Sequence, residues 1–165
     1  MPDPCTEMNL IQFGRTYLLS ALDRCTPEAL DFRPPAVELP EDYSLFSIRE
    51  HFLHIADIGE MFIHEAVLDE HKPRGSWRVI YEDAGSFRLG GSFPDAASIR
   101  AELERCWDFQ DRHLLSRPQK ALGDAIGHRG RSLAEELGWL VFHESQHRGQ
   151  ILTLMRMAGL EPPRW

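Results

Sequence analysis

The reading of this chain turns on residues 132–158, SLAEELGWLVFHESQHRGQILTLMRMA. Ser132-Leu133-Ala134-Glu135 fits a capping box, a hydroxyl and a carboxylate three apart ahead of an apolar run. At about 100° per residue, Leu133, Leu137, Leu140, Ile151, Leu154 and Ala158 fall in one band, so a helix is predicted from Ser132 to Ala158. Gly159 and Pro162-Pro163 supply its stop. His147 and Glu144 land inside the apolar band and His143 at its edge. Histidines four apart sit one turn apart on one face, so both imidazoles can converge on one ion at nitrogen distances of roughly 2.0–2.1 Å. Buried polar groups need partners, and a metal would satisfy both rings at once. Hydrogen-bonded core histidines are the plainer alternative, as is a surface position for Glu144. The letters His143-Glu144-x-x-His147 also spell the zinc-protease signature, in which the Glu is a general base.

Three more helices are predicted. One runs from about Glu7 to Arg24, with Ile11, Leu18, Leu19 and Leu22 at helical spacing. Thr26-Pro27 and Pro34, Pro35 and Pro40 then exclude regular structure up to about Phe46. A second capping box, Ser47-Ile48-Arg49-Glu50, opens a helix to about Glu70, whose apolar line is Ile48, Phe52, Ile55, Gly59, Phe62 and Ala66. A third runs from about Asp95 to Leu115. The long connection from Glu70 to Pro94 contains one extended piece, Arg78 to Tyr81, with no evident pairing partner. The predicted fold is therefore all-α, a four-helix bundle in a single domain over residues 1–165, with a long crossover between its second and third helices.

Composition narrows the function classes. The net charge of −8 argues against nucleic acid, which needs a basic face, and gives no reason to expect an anionic membrane. No apolar run approaches the ~18–20 residues that span a bilayer, and the N-terminus lacks a signal peptide's basic and apolar regions. Cys5, Cys25 and Cys106 are widely spaced and odd in number, which reads as reduced thiols and a cytoplasmic protein.

A catalytic metal site needs a third protein ligand and an open position. Residues 50–57 offer His51 and His54. By angle alone His51 lies nearer the centre of the apolar stripe and His54 at its flank, so periodicity leans to His51. His64, His71, His113 and His128 fall on polar faces or in loops and read as solvated.

The two motifs, Ser47-Ile-Arg-Glu-x3-His54-Ile-Ala-Asp57 and Phe142-His-Glu-x2-His147-Arg-Gly-Gln-Ile151, resemble those of the DinB/YfiT-like superfamily. Arg148-Gly149-Gln150 directly after the second His is the most specific part. The resemblance implies an up-down-down-up four-helix bundle and a divalent metal held by His54, His143 and His147. It thereby selects His54 over His51, which becomes a neighbour of the site. It implies that Gly149 permits close helix packing and that Gln150 hydrogen-bonds near the metal. It also implies enzymes using a low-molecular-weight thiol, either S-transferases or isomerases, and homodimers in many members.

The protease reading lacks its context. His147 is followed by Arg148-Gly149-Gln150, no later His exists, and the only carboxylate ligand left downstream is Glu161, in the tail. The function expected is a divalent-metal-dependent enzyme acting on a small molecule through a thiol, or through water as a hydrolase, with Glu144 as an orienting carboxylate. Zinc is the expected ion, with nickel, iron or manganese also accepted by such donors. Trp77, Arg78, Phe87 and Arg88 are the substrate-contact candidates. The rival class is a structural or sensory metal protein without catalysis.

Overall fold

The computed structural model describes residues 6–34, 46–82, 87–114, 125–126 and 131–164, and the fold is mostly helical. The helices are α1 (Thr6–Leu22), α2 (Pro27–Leu30), α3 (Ile48–Phe62), α4 (Ala96–Leu114) and α5 (Leu133–Met157). α3 runs on through a wider turn at Ile63–Val67. Both predicted capping boxes form: Ser47 with Glu50 starts α3, and Ser132 with Glu135 starts α5. Gly159 ends α5 at φ 79°, a conformation that suits glycine.

Two elements correct the sequence reading. The stretch after Thr26 is not irregular throughout, because Thr26 accepts a bond from the Ala29 amide and Pro27 sits at the first helical position, producing the single-turn α2. The extended piece near Val79 does have a partner. β1 (Val79–Tyr81) pairs antiparallel with β2 (Phe87–Leu89), Val79 opposite Leu89 and Tyr81 opposite Phe87. A second two-residue ribbon joins β3 (Ala125–Ile126) to β4 (Arg131–Ser132).

α3 is the central helix. It packs against α4 and α5, while α1 packs mainly on α5. Nearly every α3 side chain is buried, including Arg49, Glu50, His51, His54, Asp57 and Glu60. Close approach to α4 depends on Gly59, where a Cβ would overlap the Gln110 amide. Apolar side chains form two clusters. One joins Leu18 and Leu22, Ile48 and Phe52, Ile99 and Leu103, and Ile151 and Met155. The other joins Met8 and Ile11, Phe62 and Ile63, Leu114, and Leu133 to Leu140. Among the described residues no helix is long and apolar enough to cross a membrane.

A charge network fixes the β1–β2 hairpin to α3. The fully buried Asp57 carboxylate accepts from the backbone amides of Arg78 and Val79, and pairs with Lys72 Nζ at 2.6 Å and Arg78 Nη1 at 3.1 Å. Arg78 also pairs with Glu60, and with Glu102 at 2.5 Å; Arg105 reaches Glu60 at 3.0 Å. Lys72 lies over the Trp77 ring at 4.3 Å, so the same lysine orients the indole that precedes β1.

Candidate metal centre

α3 and α5 meet along a seam into which three imidazoles project. One ring nitrogen each from His54, His143 and His147 can be chosen so that all three lie within 4.8 Å of one another. The two Nε2 atoms of His143 and His147 are 3.2 Å apart. Two nitrogens sharing a tetrahedral ion at ~2.05 Å stand about 3.3 Å apart, so this pair already has near-chelating separation. Burial, and after it the neighbouring His147 and His143, lower the His54 pKa to about 3. His143 is lowered to about 4, mainly by burial and then by His147. Burial also lowers His147, with its Gln150 hydrogen bond opposing the shift. All three are therefore neutral near pH 7, the form that ligates metal. With three neutral nitrogen donors gathered there, the group can hold a metal ion.

His51 stands one step outside this group. Its Nδ1 lies 3.0 Å from Nδ1 of His147, on the side of that ring away from His143. Burial, then His147, lowers its pKa to about 3. The periodicity's lean towards His51 is thus not the geometry found. A stripe centre discriminates poorly on a helix buried nearly all round, and it is the crossing with α5 that places His54 against the pair. Aromatic rings wall the site. Trp139, one turn before His143, stacks on it at 5.3 Å and 23°. Phe46 packs against His51, His54 and His147 at 5.2, 5.1 and 6.3 Å. Neither aromatic was anticipated, although the i, i+4 spacing of Trp139 and His143 was visible in the sequence.

Glu144 corrects the motif reading most sharply. Its carboxyl is buried on the α1 side of α5, with Oε1 lacking a hydrogen-bond partner among the described residues. It lines a cavity of about 140 Å³ with Ile11, Phe13 and Ser145. Burial pushes its pKa up to about 7, against the lowering pull of Arg15 and Arg148. Adjacent residues on a helix point about 100° apart, so His143 and Glu144 serve different seams. Glu144 is therefore not the carboxylate that orients these imidazoles or a water among them. Gly149 is likewise not a packing glycine, since a Cβ there would meet nothing within 4 Å.

The remaining histidines divide. His71 is exposed as expected. His64 is half-buried beside Phe109 at 5.3 Å, and His113 packs on the same ring at 4.7 Å, so neither is simply solvated. His128 and Cys5 lie outside the described residues, while Cys25 and Cys106 are buried free thiols.

Beside His54 opens a cavity of about 360 Å³, lined by Ile58, Trp77, Ile80 and Tyr81 with Arg74 among them. That volume suits a small ligand. Of the expected contact residues, Trp77 lines it. Arg78 is buried in the Asp57 network and is committed to structure, which corrects its assignment. Phe87 packs on Phe46 at 4.5 Å, and Arg88 is an exposed partner of Glu82.

The fold and the three-histidine group are those expected of one family, and the DinB superfamily model matches residues 10–151. The chain belongs to the DinB superfamily. A crystal structure of a DinB-like protein from Bacillus cereus is similar in fold at a TM-score of 0.68, with 19% identity over 96% of this chain and 95% of that one. No curated protein matches the sequence.

Proposed function

We propose that this protein is a divalent-metal-dependent enzyme in which His54, His143 and His147 hold one ion, zinc by donor type, and that it acts on a small molecule bound beside His54. The observation that carries this reading is the convergence of three neutral imidazoles, one of which, His54, lines an apolar cavity. When bound, such an ion keeps its full positive charge against neutral ligands and makes a coordinated thiol or water nucleophilic near neutral pH.

The chain's own residues do the rest. His51 accepts a proton bond from Nδ1 of His147, which leaves the Nε2 lone pair free for the ion. Trp139 and Phe46 keep bulk water from the rings. Trp77 and Tyr81 supply surface for a substrate body. A low-molecular-weight thiol as the nucleophile makes the protein an S-transferase, and water makes it a hydrolase. Peptidase chemistry is disfavoured because Glu144 faces α1. The bundle reading is up-down-down-up in one domain. It is supported by the two core clusters: the C-terminal ends of α1 and α5 share one with the N-terminal ends of α3 and α4, and the opposite ends share the other.

Elemental analysis of the purified protein beside single variants tests the centre. About one metal per chain is expected in the wild type and in His51→Ala, and none in His54→Ala or His147→Ala. Metal retained by His54→Ala but lost from His51→Ala would reassign the third ligand. Chelation with unchanged helicity is expected for an open enzymatic site, and unfolding on chelation would instead assign a structural ion.

A further inference from the structure

The cavity beside His54 has apolar walls and one cation. Ile58, Ile80, Trp77 and Tyr81 line it, and Arg74 comes from the short turn Arg74–Ser76 that leads into β1. The other cations nearby are committed. Lys72 is held by Asp57 at 2.6 Å, Arg78 by Asp57, Glu60 and Glu102, and Arg88 by Glu82 at 2.8 Å. Arg74 is exposed, and among the described residues no carboxylate pairs with it. In a chain of net charge −8, an unpaired arginine on the lining of an apolar cavity is an exception that invites an anion.

The geometry points to a specificity role for Arg74: the cavity takes an apolar or aromatic small molecule bearing one carboxylate, with the carboxylate on the Arg74 guanidinium and the opposite end towards His54. A single guanidinium, with no second free cation lining the cavity among the described residues, matches one negative charge, and its planar fork matches a carboxylate in two parallel hydrogen bonds. The walls match an apolar body, which the electrophilic substrate supplies better than a polar thiol would. The volume accommodates a ring with a short chain. This inference rests on the proposed centre only for which end of the ligand reacts; carboxylate recognition itself needs no metal.

The test is calorimetric or NMR titration of 4-phenylbutanoate and its uncharged amide into metal-loaded and chelator-stripped protein, with metal content measured separately. The acid is expected to bind roughly tenfold tighter than the amide in both preparations. Arg74→Gln, a change at an exposed side chain, abolishes that preference while metal content stays unchanged. Arg88→Gln, which removes a cation of the neighbouring hairpin, leaves the preference intact. Equal affinities of acid and amide in stripped wild type, or a preference that survives Arg74→Gln, overturns the assignment. The second result with loss on stripping would place the carboxylate on the metal instead. An equal loss in Arg88→Gln would reduce the effect to general surface charge and also overturn it. Arg74-dependent binding in protein that never holds metal would sink the metal centre and leave this inference standing.

Discussion

α3 buries ionisable groups on two sides, and the two sides are built on opposite rules. Towards α4 and the hairpin, Asp57 and Glu60 meet Lys72, Arg78 and Arg105, so every buried charge has a partner of opposite sign within 3.2 Å. Towards α5, His51 and His54 meet other imidazoles and the Phe46 ring, with no carboxylate among them in the described residues. The first arrangement is complete without a ligand and holds the hairpin in place. The second gathers lone pairs with nothing to neutralise, which is the condition for receiving a cation. A buried polar cluster signals function here through what it leaves unsatisfied, and its mere burial says little.

The comparison is broken most severely on the charged side. Asp57→Ala takes from the buried Lys72 and Arg78 one of the two carboxylates they share, Glu60 being the other, and leaves the Arg78 and Val79 amides without an acceptor. A loss of about 3–5 kcal/mol in urea-unfolding free energy is expected, with or without metal. On the histidine side the reverse holds. His54→Ala removes a neutral ring and leaves a cavity but no unpaired charge, so the metal-free protein is expected to lose only about 1–2 kcal/mol, less than Asp57→Ala. Metal affinity falls by at least about a hundredfold, more than an outer partner is worth. A large stability loss in metal-free His54→Ala would show that the imidazole cluster is structural after all.

Both sides were unequally legible in the sequence. The helices that carry them were readable because capping boxes at Ser47 and Ser132 and a clean apolar spacing agree at each level. The His143–His147 pair was readable for the same reason, since i, i+4 spacing is local. The third member was not, because residues 51 and 54 both lie on a helix buried nearly all round, and only tertiary crossing separates them. The hairpin was missed because three-residue strands carry little pattern and Asp57, 21 residues away from Arg78, anchors them. Glu144 was misplaced because a motif written as letters hides the turn of about 100° between neighbours.

pH separates the seams of α5 as well. The histidine pKa values are depressed to about 3–4, below the ordinary 6.5, so the unfolded chain binds more protons in that window. Their contribution to metal-free stability is present above pH ~6.5 and is lost as pH falls towards 3. Glu144 works in the other direction. Its pKa is raised from 4.5 to about 7, so its contribution is present below about 4.5 and is lost as pH rises through 7. Glu144→Gln keeps the neutral form at every pH. Urea midpoints of wild type and Glu144→Gln should therefore converge below pH 5 and separate above pH 7, with the variant the more stable. Parallel curves across that range would mean that Glu144 is solvated and shares no buried seam.

The smallest expected effect is the most specific, because it concerns one hydrogen bond. His51 meets His147 through the two Nδ1 atoms at 3.0 Å and a tilted ring contact at 5.2 Å, on the side of that ring away from the Nε2 shared with His143. Its removal should leave all three ligands and the metal in place while freeing His147 to rotate or to take the other tautomer. His51→Phe, which keeps a ring against Phe46 but offers no acceptor, is expected to weaken zinc affinity about tenfold in a competition titration against a chelator of known strength. His51→Gln restores an acceptor near the same point and should recover part of that loss. A packing role alone would give the opposite order, with Phe tolerated and Gln not, so the ranking of the two variants decides whether His51 acts through its nitrogen or through its bulk.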